Sequence, residues 1–200
     1  GYMFEYCLHG NVTIEGLIIN YTVFMAFGEV TCMIFGGLSP VFTKTVGSKR
    51  MAFFWSALLC LVLSIAFFFI PMSPDYIWVM IALVILTSIG IGIYSPLMWS
   101  MYADVADYHT EHFGTSATGL IFSSGTMSQK FGTAISGSLI ALFLGWAGAN
   151  MITDKMGNTV IDPTSITDSV LMMVWSLFSL FPAVIAFLLM VLSYKFPIKK

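Results

Sequence analysis

The sequence predicts an all-α membrane protein, and three observations carry that prediction. Of its 200 residues, 58% are hydrophobic and only 9% charged, whereas about a quarter of the residues in a soluble domain are charged. Several uninterrupted apolar stretches reach the roughly 20 residues that a helix needs to cross a bilayer. Within those stretches only Glu29 and Lys130 lie at depth, far apart in the chain. A mean hydropathy of +0.91 agrees. The formal net charge of -2 names no partner by bulk electrostatics, and nothing points to nucleic acid.

Taken in order, residues 1–10 read as the tail of a helix, aromatic and carrying Glu5. A polar turn leads to the first full span, residues 17–38, with Glu29 near its centre. Gly36 and Gly37 then open a basic loop over 39–50 that holds Pro40, Lys44, Lys49 and Arg50. Residues 51–70 form a second span free of charge, closed by Pro71 and Pro74, which cannot continue a helix there. The third span, 76–99, is interrupted by Gly90, Gly92 and Pro96. A loop over 100–117 collects Asp104, Asp107, His109, Glu111 and His112. The fourth span covers 118–148, a polar connection 149–167, the fifth span 168–194, and a basic tail 195–200.

Lys and Arg set the orientation. Alternate loops share a side, so Lys44, Lys49, Arg50, Lys195, Lys199 and Lys200 stand against Lys155 alone. The 39–50 and 100–117 loops and the C-terminus are therefore expected on the cytoplasmic side of a multi-pass protein of the cell inner (plasma) membrane, with 149–167 outside. The chain opens at Gly1 with half a helix and no export signal. The expectation is a C-terminal piece of a longer protein, cut within a membrane helix; an unusual five-span protein is the alternative.

Lys130 is the residue the functional reading turns on. A charge at that depth costs roughly 3 kcal/mol on insertion scales, so it faces protein or a water-filled cavity. Thr126, Gln129, Lys130 and Thr133 recur at i, i+3, i+4 and i+7, which gives one polar helix face. Gly125, Gly132, Ser136, Gly137 and Ala141 let neighbouring helices approach closely. This pattern reads as a membrane helix lining a site for a polar solute; the alternative is a structural ion pair. Glu29, at similar depth, is either the partner of Lys130 or a proton carrier. The spans without ionisable groups, the second and fifth, are expected to face lipid, and the first and fourth to face the interior.

Other chemistries find no support. Cys7, Cys32 and Cys60 match neither a disulfide framework nor a metal site. His9, His109 and His112 are scattered and lack a third ligand, so no metal is expected. No phosphate-binding glycine loop or nucleophile elbow occurs, and no enzyme is expected.

The stretches Met101-Tyr102-Ala103-Asp104-Val105-Ala106-Asp107-Tyr108, Ala117-Thr118-Gly119-Leu120 and Gln129-Lys130-Phe131-Gly132 resemble the glycoside–pentoside–hexuronide:cation symporters, the melibiose-permease-like members of the major facilitator superfamily. Gly47-Ser48-Lys49-Arg50 is similar to the basic loop between the second and third helices of the C-terminal half in that family. The resemblance covers essentially the whole chain as the C-terminal six-helix half of a twelve-helix transporter: residues 1–10 as the end of helix seven, then helices eight to twelve. It implies cation-coupled symport, with Na+ or H+ as coupling ion and no other cofactor, of a sugar, glycoside or hexuronide by alternating access. The partners implied are that substrate, the missing N-terminal half, which holds the main cation-binding carboxylates, and the lipid bilayer. Lys130, with Thr126, Gln129 and Thr133, is then expected beside the sugar and cation sites, with Glu29 a further coupling candidate. Asp104 and Asp107 match acids of a cytoplasmic gate.

Two departures from the family pattern are visible. Basic residues usually precede Ala-Thr-Gly, but Thr115 and Ser116 stand there, so the gate acids must find Lys49, Arg50, His112 or the other half. The register of a sugar-facing Trp in helix ten gives Ser95, leaving Tyr94 and Trp99 as the candidate sugar-facing aromatics. A non-transporting relative, sensor or scaffold, or an inactive truncated remnant, is the alternative to symport.

Overall fold

The computed structural model describes residues 12–14, 17–19, 21–71, 73–153 and 159–195. It is all-α in its body: α1 (Tyr21–Val46), α2 (Lys49–Phe68), α3 (Ile77–Phe113), α4 (Thr118–Trp146) and α5 (Asp168–Lys195) run alternately up and down. Two small antiparallel hairpins sit at one end. β1 (Val12–Ile14) pairs with β2 (Leu17–Ile19) ahead of α1, and β3 (Met151–Thr153) pairs with β4 (Thr159–Ile161) between α4 and α5. The opposite end carries Lys44, Lys49, Asp104 and Asp107. The expected helical segment at 1–10, the tail beyond Lys195, and Lys155 lie outside the described residues.

Four helices, α1, α2, α3 and α5, are long and apolar enough to cross a membrane. α4, at 29 residues, has the length, about 43 Å at 1.5 Å per residue. Its serines, threonines, glycines, Gln129 and Lys130 make it less apolar than the rest.

Helix bounds differ from the sequence reading in an instructive way. The first span begins at Tyr21, because Leu17–Ile19 is a strand, and runs through Pro40 to Val46. Gly47, at φ 80°, ends it in the left-handed region that glycine adopts without penalty. The basic loop thus shrinks to two residues, with Lys44 in the last turn of α1 and Lys49 and Arg50 in the first turn of α2. The third span likewise continues past Trp99 to Phe113, where Gly114 at φ 68° donates its N–H to the Thr110 carbonyl. Asp104, Asp107, His109, Glu111 and His112 are therefore helical residues and not loop residues. Gly90, Gly92 and Pro96 do not interrupt α3.

The glycines instead set packing. A Cβ on Gly90 would stand 2.5 Å from Cys60 Sγ and 2.9 Å from the Ser56 carbonyl oxygen; one on Gly92 would stand 2.7 Å from the Cys32 carbonyl oxygen. α3 is thus seated against α2 through one glycine and against α1 through the other, as small residues allow where lipid tails compete with packing. Ser39 Oγ adds a buried hydrogen bond, donating to the Ile93 carbonyl at 3.0 Å across the α1–α3 contact.

α2 also packs along α5. Phe67 meets Trp175 and Phe178 with ring centroids 5.3 and 5.1 Å apart, and Trp175 Nε1 donates to the Phe68 carbonyl at 3.3 Å. Near the hairpin end these rings join Phe24, Ile77, Met80, Leu144, Ile161 and Val170 in the main apolar cluster. Ile161 is fully buried, so β4 is a plug for that end as well as a connection. A second cluster, Ala52, Phe53, Ile93 and Leu97, lies toward the charged end. α4 is the helix held most lightly: its only fully buried side chain is Leu144.

Candidate functional site

α4 presents three faces. Ile121, Ser124, Gly125 and Ser128 look toward α2, α3 and α5 at the charged end. Ser136, Leu139, Ile140 and Phe143 look toward α1 and α5 at the hairpin end. A second face is exposed and apolar: Leu120, Met127, Phe131 and Ile135. The third is exposed and polar, and it holds Thr126, Gln129, Lys130 and Thr133. Phe131 and Lys130 are neighbours in sequence and so point about 100° apart round the helix.

The chemistry of the polar face follows from its hydrogen bonds. Thr126 Oγ1 donates to the Phe122 carbonyl at 2.9 Å, and Thr133 Oγ1 donates to the Lys130 carbonyl at 2.9 Å. Both hydroxyl protons are engaged within α4, which leaves their oxygens as acceptors. The amide of Gln129 and the ammonium of Lys130 have no partner among the described residues. The face therefore offers donors from Gln129 and Lys130 and acceptors from Gln129 and the two threonines, a set suited to hydroxyl-rich solutes and anionic groups.

No ion pair joins Glu29 to Lys130 among the described residues. Glu29 instead opens on a separate cavity with Cys32, Ser64, Thr87 and Ser88.

The two aromatic candidates part company. Tyr94 packs against Phe53 of α2 at 5.6 Å, within the second apolar cluster. Trp99 stands at the α3–α4 contact, its ring parallel to Phe122 with centroids 6.2 Å apart and planes 8° apart. Tyr102 meets both rings edge-on, at 5.6 and 6.3 Å. Gly125 lets this happen, since a Cβ there would lie 2.7 Å from Tyr102 Cε2. The sequence shows Tyr102 and Phe122 only as parts of family-like stretches and does not single them out as site aromatics, because they belong to an aromatic pattern common in any membrane helix.

At the charged end, Lys49 Nζ donates to both carboxylate oxygens of Asp104 at 2.8 Å. The two side chains are 31% and 14% exposed. Asp104 thus finds its partner inside the same five-helix unit, through one of the three candidates the sequence offered. Asp107 is exposed and has no partner among the described residues. Arg50, next to Lys49, lies 5.9 Å over the Tyr194 ring and ties the start of α2 to the end of α5. His109 Nδ1 donates to the Thr115 carbonyl and His112 Nδ1 to the Tyr108 carbonyl, each at 3.0 Å, so both serve the end of α3. No group of three or more metal-ligating side chains occurs among the described residues.

Four helices of membrane-spanning length beside a fifth that carries a polar face fit a multi-pass membrane protein. The match to known sequences makes this specific. The MFS/sugar transport protein family matches residues 10–200, and this chain belongs to that family, whose members are transporters and not enzymes. Among curated relatives, an uncharacterized 29.9 kDa protein of Pseudescherichia vulneris is 39% identical over 101 residues, 50% of this chain and 36% of that protein. The inner membrane symporter YicJ of Escherichia coli is 30% identical over 129 residues, 63% of this chain and 27% of that protein. A glucuronide carrier protein homolog of the same organism is 33% identical over 114 residues, 56% of this chain and 24% of that protein. These names agree with the resemblance to the glycoside–pentoside–hexuronide:cation symporters. The matched stretches span from 24% to 36% of the relatives' own lengths. No solved structure matches the chain.

Proposed function

We propose that this chain is the C-terminal half of a cation-coupled symporter for a sugar, glycoside or hexuronide, and that the polar face of α4 lines its passage. One observation carries the reading: α4 has two exposed faces, one apolar and one polar, and only the polar one holds Lys130. In a bilayer the apolar face is the one that meets lipid, because an unpartnered ammonium in hydrocarbon is costly. The polar face is then the surface that a second half of the transporter, and solute between the halves, would cover. The named relatives, a symporter and a glucuronide carrier homolog, support the same substrate class.

In this reading Lys130 couples the ion to the sugar by charge. With the cation site empty, its ammonium neutralises carboxylates of the other half; an arriving Na+ or H+ displaces it, and the released donor binds the solute together with Gln129. The charged end lies in the cytoplasm with the C-terminus, following the Lys and Arg bias. Because Asp104 is held by Lys49, Asp107 is the acid free to contact the other half when the cytoplasmic side closes. Tyr94, turned toward α2, is outside the passage; Trp99 supports it from the α3–α4 contact.

The test is uptake by the full-length transporter. Lys130→Ala is expected to reach the membrane and to lose cation-stimulated uptake. Retention of that stimulation overturns the coupling role of Lys130.

A further inference from the structure

The cavity beside Glu29 is a second polar site, distinct from the face of α4. It is a half-open cavity of about 340 Å³ between α1, α2, α3 and α5, with Glu29 exposed, room for several water molecules at roughly 30 Å³ each. Glu29 and Cys32 come from α1, one turn apart, Ser64 from α2, and Thr87 and Ser88 from α3. Ser64 and Ser88 are each 7% exposed. Neither hydroxyl has a hydrogen-bond partner among the described residues, although a helical serine ordinarily bonds a carbonyl of its own preceding turn. Thr87 does so, donating to the Leu83 carbonyl at 2.8 Å, which leaves its oxygen as an acceptor. Other buried serines are satisfied: Ser39, Ser56, Ser179 and Ser193 all donate to carbonyls. The two exceptions line the same cavity as the only carboxylate of α1.

Hydroxyl oxygens that open on the cavity and bond nothing, beside an exposed carboxylate with no ion pair among the described residues, can serve one guest together. Carboxylate and hydroxyl oxygens are hard donors, suited to small hard cations and to water, and unsuited to soft metals. A single carboxylate balances a single positive charge. Among the described residues neither lysine nor arginine lines the cavity, and Cys32 is the only other titratable side chain that does. We propose that this cavity binds one small hydrated monovalent cation, sodium or hydronium, with Glu29 as counter-charge and Ser64 and Ser88 as oxygen ligands to the ion or its water. The site stands on these residues alone and does not depend on the solute passing along α4.

Cys32 supplies a native reporter. In the full-length protein reconstituted in liposomes without sugar, alkylation of Cys32 by N-ethylmaleimide is followed by mass spectrometry in choline, in sodium and over a pH series. A bound sodium ion slows alkylation several-fold relative to choline, and Glu29→Gln removes that protection. Bound hydronium instead gives protection that grows as the pH falls, beyond that in Glu29→Gln at the same pH. Ser88→Ala, which deletes a hydroxyl bonded to nothing among the described residues and so spares the fold, weakens whichever protection is found. Lys130→Ala leaves the protection intact while abolishing uptake, so this site and the transport reading are tested separately. Alkylation equal in choline and sodium, with the same pH dependence in wild type and Glu29→Gln, overturns the proposal.

Discussion

At the scale of single residues, the bidentate contact between Lys49 and Asp104 makes the sharpest statement. Both groups are partly exposed, so the pair is worth on the order of 1 kcal/mol, near the upper end for such pairs. Asp104→Asn is expected to lower thermal stability in detergent by about that amount, whereas Asp107→Asn leaves it unchanged. The exchange of both residues, Lys49→Asp with Asp104→Lys, restores most of the loss. A second residue-scale prediction concerns Asp162, between α4 and α5. Its carboxylate accepts from the Thr164 backbone N–H at 2.9 Å and from the Thr164 hydroxyl at 2.8 Å, and these bonds hold it below the ordinary carboxylate range, the backbone bond first. A lowered folded value means that the turn is stabilised above the usual carboxylate range and loses that stabilisation as the pH falls through the folded value. Thr164→Ala therefore raises the Asp162 midpoint part of the way back, as an NMR titration will show. Lys49 was legible in the sequence only as one of three candidate partners. Its fit with Asp104 depends on α1 running to Val46 and α3 to Phe113, and hydropathy marks the membrane's edge, not the helix's end. The left-handed glycines Gly47 and Gly114 are the signals that mark those ends.

At the scale of elements, the helices and their order were readable because apolar runs of this length have one use. What spacing could not reveal is which glycines loosen a helix and which seat it. Gly90 and Gly92 look like interruptions in α3; in place they are contact points with α2 and α1. Alanine at either one is expected to cost about 1–3 kcal/mol, the usual penalty for overpacking, and to lower the midpoint of thermal unfolding. Gly37 of α1 has open space around it, so Gly37→Ala is the control and is expected to be neutral or mildly stabilising, since alanine is the better helix former. The strand at Leu17–Ile19 and the hairpin at Met151–Ile161 escaped notice because three-residue strands leave no periodic trace. The burial of Ile161 gives the second hairpin a structural role.

At the scale of the whole molecule, the helices expected to face lipid, α2 and α5, bury more of their side chains among the described residues than α1 and α4, which were expected to face the interior. α2 and α5 lie along one another, α3 is seated on α1 and α2, and α4 touches its neighbours near its two ends. The sequence marked the polar face of α4 by its i, i+3, i+4, i+7 spacing, but it could not show that Glu29 and Lys130 stand apart or that Tyr94 turns toward Phe53. Those are facts of azimuth, fixed by which small residues let which helices approach. The central claim is that the polar face of α4 borders water and its apolar face borders lipid. The most direct measurement is the reactivity of single cysteines placed at Thr126, Gln129 and Thr133, and at Met127, Phe131 and Ile135, in the full-length protein in membranes, toward a charged, membrane-impermeant thiol reagent. The account predicts rapid modification of the first three, slowed by substrate, and little or none of the second three; equal silence at all six, or reaction only at the second set, would contradict it.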